Sequence, residues 1–186
     1  MAAPPVSARK TALNGKTIAL VGLMGVGKST IGRRLAAALA MPFRDADAEV
    51  EAAAGRSVAD IFETLGEPAF REGERRVIAR LLDGAPHVLA TGGGAFACEE
   101  TRRLIRARAI SVWLKADLGV LARRIGRRDH RPLVAGKEPL AVLEAQAAAR
   151  YGAYGEADIV IETGETAHGV AVDAIVRALA ARNQAP

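Results

Sequence analysis

Short apolar runs alternate with helical stripes along this chain. Thr17-Ile18-Ala19-Leu20-Val21 is a continuous run of strand length, the pattern of a strand buried on both faces of a parallel sheet. Further strands are expected in a short run ending at Asp45, and at 87–91, 110–114 and 158–162. Between them, apolar residues recur at helical spacing: Ile31, Leu35 and Leu39, with Pro42 as a stop; Leu118, Leu121 and Ile125; Val172, Ile175 and Leu179. Strands alternating with helices predict an α/β architecture, a parallel sheet with helices on both faces. Ligands of such sheets bind beyond the carboxyl ends of the strands. Gly22, Asp45 and Gly92 each close or follow a strand, so they should converge on one crevice.

The turn after the first strand changes the picture most. Gly22-Leu23-Met24-Gly25-Val26-Gly27-Lys28-Ser29 fits the phosphate-loop pattern G-x-x-x-x-G-K-[ST] at every position. Glycines let the backbone curl until successive N–H groups point at phosphate oxygens. Lys28 supplies a mobile charge for the terminal phosphates, and Ser29 offers a hydroxyl oxygen to the accompanying Mg²⁺. The helix that follows adds the attraction of its N-terminus for anions.

The length of 186 residues suits one domain. A single cysteine, Cys98, excludes an internal disulfide and a cysteine-built metal site, and points to a reducing cytoplasm. No stretch approaches the roughly 20 apolar residues of a membrane span. Residues 1–13, rich in Ala and Pro, read as a disordered tail without the apolar centre of a signal peptide. The net charge of +5 fits nucleic acid or small anionic substrates, and an aromatic content of 4% favours the latter. No nucleic-acid or membrane partner is therefore expected.

Several constellations add chemistry. Asp45-Ala46-Asp47 is by itself an acidic turn; beside a phosphate loop, one carboxylate serves Mg²⁺ and the other faces an acceptor hydroxyl. Thr91-Gly92-Gly93-Gly94-Ala95 reads equally as a tight turn or as a close approach to a ligand. Arg71 and Glu74 share a helical face beside the stripe Phe70, Val77 and Leu81. Glu74 then holds Arg71 for bidentate binding of a carboxylate, although such a pair is by itself a surface ion pair of little worth. Arg150 lies on a helical pattern with Leu140, Leu143, Ala147 and Tyr151. Five arginines fall within residues 123–131, followed by Pro132, Gly136 and Pro139, the composition of a mobile basic flap. His87, His130 and His168 lack metal-ligand spacing and read as structural or surface residues. An Asn-Lys-x-Asp tetrapeptide and a strand ending in a Walker B aspartate are both missing, which argues against a regulatory GTPase or a mechanical ATPase.

Taken together these motifs resemble the shikimate kinase family. The pattern comprises Gly-Leu-Met-Gly-Val-Gly-Lys-Ser-Thr at 22–30, Asp-Ala-Asp at 45–47, Ile61-Phe62, Phe70-Arg71-x-x-Glu74, Thr-Gly-Gly-Gly-Ala at 91–95, Arg131-Pro132-Leu133, and Arg150 followed by Tyr154. The likeness covers residues 15–180. It implies a three-layer P-loop kinase fold whose five parallel strands run in the order 2-3-1-4-5, with a flexible lid. It implies one domain over 14–183, with acceptor binding in 46–80 and the lid at 124–139. The implied activity is transfer of the ATP γ-phosphoryl group to the 3-hydroxyl of shikimate, with Mg²⁺, by a cytoplasmic monomer. Roles follow by position. Gly25, Val26, Gly27, Lys28, Ser29 and Thr30 would hold ATP, with Arg124 near the adenine, and Ser29 and Asp45 would hold Mg²⁺. Asp47, Arg71, Gly92, Gly93, Gly94 and Arg150 would bind shikimate. Lys28, Asp47 and Arg131 would act on the transferring group. The family often has a proline where this chain has Gly152. The nearest alternative is another small-molecule P-loop kinase, acting on gluconate or a nucleoside monophosphate. A non-catalytic nucleotide-dependent binding module is a more distant one.

Overall fold

The computed structural model describes residues 15–126, 138–164 and 167–184. The expected tail at 1–13 and most of the expected lid, with Arg131, lie outside the described residues. In chain order the elements are β1 (Thr17–Val21), α1 (Lys28–Leu39), β2 (Phe43–Asp45), α2 (Ala46–Ala54), α3 (Val58–Leu82), β3 (Val88–Ala90), α4 (Glu99–Arg108), β4 (Ala109–Ala116), α5 (Leu118–Gly126), α6 (Pro139–Tyr154), β5 (Ile159–Thr163) and α7 (His168–Gln184).

The five strands form one all-parallel sheet in the order β2-β3-β1-β4-β5. Every residue of β1 is buried, which requires helices over both faces. Register then fixes the site. Leu20 and Asp45 both stand opposite Ala90, so the carboxyl ends of β1, β2 and β3 are level. Gly22, Asp45 and Thr91 emerge on one rim, as the alternation of runs predicts. Thr91 fastens that rim, since its hydroxyl donates to the Leu20 carbonyl at 2.9 Å.

Each expected strand is present; β1 keeps its bounds and β2 ends at Asp45 as expected, while the ends of β3, β4 and β5 shift. β4 runs from Ala109 to Ala116, beyond the apolar stretch 110–114, because β1 pairs along its first half and β5 along its second. β5 starts one residue late because Asp158 serves as a staple, its carboxylate accepting from both the amide and the hydroxyl of Ser111 at 2.9 and 2.7 Å. Periodicity does not reveal that α3 is two helices joined across a kink. Gly66 breaks it at φ 80° and ψ 170°, a backbone conformation open to glycine, and Pro68 opens the second segment. A small second core of Val50, Ile61, Phe70 and Val77 joins α2 to α3, separate from the main core around the sheet. Among the described residues no helix is long and apolar enough to cross a membrane.

Two helical glycines have opposite surroundings. A Cβ on Gly32 in α1 would stand 2.6 Å from the Phe43 ring, whereas one on Gly152 in α6 would meet nothing within 4 Å. We expect Gly152→Ala to raise stability by about 0.5–1 kcal/mol, from helix propensity alone. Gly32→Ala should lower it by about 1–3 kcal/mol through overpacking, despite the same propensity gain. Thermal denaturation of the two variants checks the sign of each.

Candidate active site

The loop between β1 and α1 is shaped by its glycines. Gly25 and Gly27 take φ values of 82° and 97°, in the left-handed region. Gly22 is needed for a different reason as well, since a Cβ there would stand 2.5 Å from the Leu114 carbonyl oxygen of β4. Helix α1 begins with no side-chain cap and no acidic residue in its first turn. Its first amides are thus left for an anion rather than consumed by the chain. Lys28 folds across the loop, donating to the carbonyls of Gly22 at 2.7 Å and Leu23 at 3.1 Å. The Ser29 hydroxyl donates to Asp45 Oδ2 at 2.6 Å, and Asp45 Oδ1 caps α2 by accepting from the Asp47 amide at 3.2 Å. One carboxylate therefore ties the phosphate loop to the acidic turn. A hydroxyl and a carboxylate so joined form the hard-oxygen pair that suits Mg²⁺ beside a nucleotide.

The other half of the cleft is ionic. The Arg71 guanidinium donates from Nη1 to Glu74 Oε2 at 2.7 Å and from Nη2 to Glu67 Oε1 at 3.0 Å. The expectation of a surface ion pair is corrected here. Glu74 is 1% exposed, because the second segment of α3 carries it beneath the 92–94 turn. Its Oε1 has no hydrogen-bond partner among the described residues. Burial raises the pKa of Glu74; Arg71 pulls it down and Asp47 pushes it up. Asp47 is open toward the cleft but lies deep in the concavity. Desolvation raises its pKa first, Asp45 and Glu51 add to the rise, and Lys28 and Arg71 oppose it. Burial works against the charge on Arg71, and its two glutamates outweigh that.

The glycine triplet makes room for these side chains. A Cβ on Gly92 would collide with Glu74 Oε1, and one on Gly94 would collide with the Arg71 guanidinium. The bare backbone is thus required by the chain's own ionic groups, a third explanation besides a tight turn or a ligand. Gly93 accepts at its carbonyl from Arg150 Nη1 at 3.1 Å and from the Tyr154 hydroxyl.

These groups line one cleft of about 680 Å³. It gathers Gly25, Gly27, Lys28, Ser29, Thr30, Asp45, Asp47, Arg71, Gly92, Gly93, Gly94, Arg124 and Arg150, all named from sequence. Val26 instead turns its side chain into the core, at 1% exposure. Arg124 reaches the carbonyl of Gly164 beyond β5. Sequence reasoning missed Met24, Val58 and Phe62 in the wall, and misplaced His168. His168 faces Gly27, and burial, Arg34 and Arg124 lower its pKa. The strand-end rule applied to β5 would have found it. His87 is a core residue, as expected, with Nδ1 at 2.9 Å from the Ala85 carbonyl. His130 lies outside the described residues.

A glycine loop opening an uncapped helix with a lysine, in one cleft with acidic side chains and two arginines, defines a P-loop kinase of small molecules. A family profile described as shikimate kinase matches residues 24–180. The chain belongs to the shikimate kinase family. It is 68% identical over 167 residues to a shikimate kinase of Caulobacter vibrioides, covering 90% of this chain and 84% of the relative. It superposes on a shikimate kinase from Acinetobacter baumannii in complex with shikimate at TM-score 0.90 and 34% identity, over 97% of this chain and 100% of that one. A gluconokinase from Sinorhizobium meliloti, at TM-score 0.62 and 19% identity over 91% of this chain and 94% of that one, shares the fold alone.

The buried acid sets a pH dependence. The pKa of Glu74 in the fold lies above its ordinary 4.5, so its contribution to stability is full below about that pH. The contribution is lost as pH rises through the raised value. Glu74→Gln should therefore melt a few degrees above the parent at pH 8, and the gap should close toward pH 4.5. A gap independent of pH would contradict this.

Proposed function

We propose that this chain transfers the γ-phosphoryl group of ATP to the 3-hydroxyl of shikimate, giving shikimate 3-phosphate and ADP. One observation carries the reading: Asp47 shares a single cleft with the phosphate loop, Lys28, Arg71 and Arg150. Shikimate is a small polyol with one planar carboxylate, and these are the groups that would recognise it. The two arginines hold the carboxylate, and the 92–94 backbone lies along the ring. Asp47 orients the 3-hydroxyl and takes its proton as the oxygen bonds to phosphorus and the bond to the β-phosphate breaks. The loop amides of Gly25–Thr30 and Lys28 neutralise charge on the leaving phosphates, the larger part of such catalysis. Ser29 and Asp45 would hold the Mg²⁺, which supplies further charge neutralisation when bound. Arg124 lies toward the adenine. Arg131 acts on the transferring group from the 124–139 lid, an assignment supported by the family pattern alone.

The rest of the reading is coarser. Residues 14–183 form one catalytic domain in which 46–80 binds the acceptor, and the small α2–α3 core supports that division. The protein works as a cytoplasmic monomer without nucleic acid or membrane. Surface arginines paired with carboxylates, among them Arg44 with Glu49, Arg76 with Glu72 and Arg182 with Asp158, support the reading without nucleic acid.

ADP release from Mg-ATP, measured with and without shikimate, tests the proposal. Strong stimulation by shikimate is expected, with none by gluconate or nucleoside monophosphates. Asp47→Asn should lower the stimulated rate about 10²–10⁴-fold. Absence of stimulation would remove shikimate as the acceptor. Arg131→Ala should reduce kcat and leave the shikimate KM nearly unchanged; equal loss of both would contradict a role on the transferring group.

A further inference from the structure

The mechanism leaves one buried polar group unused. Tyr154 is fully buried at the end of α6, one helical turn beyond Arg150. Its hydroxyl donates to the Gly93 carbonyl, which also accepts from Arg150 Nη1 at 3.1 Å. Arg150 Nη1 also donates to Gln146 Oε1 at 3.3 Å. A carbonyl has two lone pairs, so the Gly93 oxygen accepts from Tyr154 and Arg150 together. The ring is wedged against Trp113 and Tyr151, with centroids 5.7 and 6.3 Å away. Trp113 belongs to β4, so the hydroxyl is referenced to the sheet rather than to a loop. Gly93 sits between Gly92, pressed on Glu74, and Gly94, pressed on Arg71. Movement of the Gly93 carbonyl would thus disturb both arginine forks.

We propose that Tyr154 is a positioning residue for the acceptor: its hydroxyl anchors the Gly93 carbonyl and thereby sets the Arg150 fork and the 92–94 backbone against the acceptor carboxylate. Burial pushes its pKa up to about 12, so the hydroxyl stays protonated and donating across the working range. The inference rests on the reading of Arg150 as a carboxylate ligand.

The test is a double-mutant cycle on kcat/KM for shikimate, with the ATP KM and the melting temperature recorded for each variant. Tyr154→Phe keeps the ring and removes only the hydroxyl. It should lower kcat/KM for shikimate about five- to tenfold, mainly through KM, and leave the ATP KM unchanged. Arg150→Ala should lower it further, and adding Tyr154→Phe to Arg150→Ala should cost clearly less than Tyr154→Phe costs in the parent. Multiplicative losses in the double variant, or an ATP KM that rises in step, would make Tyr154 a general packing residue and overturn the proposal. Loss of shikimate kcat/KM in Arg150→Ala with none in Tyr154→Phe would sink this inference alone. No loss in Arg150→Ala would sink the reading of Arg150 together with it.

Discussion

The cleft depends on β1 having no face to water. A strand buried along its whole length must sit mid-sheet, with β3 on one side and β4 on the other. Once there, the parallel register brings the ends of β1, β2 and β3 to one level. The phosphate loop, the acidic turn and the glycine triplet lie far apart in sequence and become neighbours for that reason. The bond from Ser29 to Asp45 then locks two of these rims together, because β2 ends where α2 needs a cap.

The acceptor half is built under electrostatic tension. Asp47 and Glu74 are both harder to ionise than ordinary carboxyls, first because of burial and then because of neighbouring carboxylates, Asp45 and Glu51 for Asp47 and Asp47 for Glu74. Such a cluster costs stability and is retained where activity needs it. Arg71 relieves part of the cost by pairing with Glu74, and the glycine triplet supplies the space. At Gly92 and Gly94 any side chain would displace the ion pair itself. The triplet's worth lies as much in what it accommodates from within the chain as in what it presents to a ligand.

Much of this was legible in the residues. All five strands and their order followed from apolar runs and the family pattern, and the phosphate loop was identifiable from spacing alone. Boundaries were less legible. β4 outran its apolar stretch because neighbouring strands paired with it, and the break at Gly66 left no mark on the periodicity of α3. The burial of Glu74 was hidden too, since helical spacing gives a shared face but not the depth of that face. His168 reached the cleft through the β5–α7 connection, where no motif points.

The sequence by itself determined the local chemistry: a loop that must bind phosphate, a helix start that must attract anions, an acidic turn, an arginine and a glutamate at helical spacing. Those properties follow from backbone freedom, side-chain charge and period, which are set within a few residues. Only the tertiary structure decided which of these groups meet, how deeply each is buried and therefore how each titrates. Burial and mutual charge depend on what lies across the sheet, and no local pattern records that.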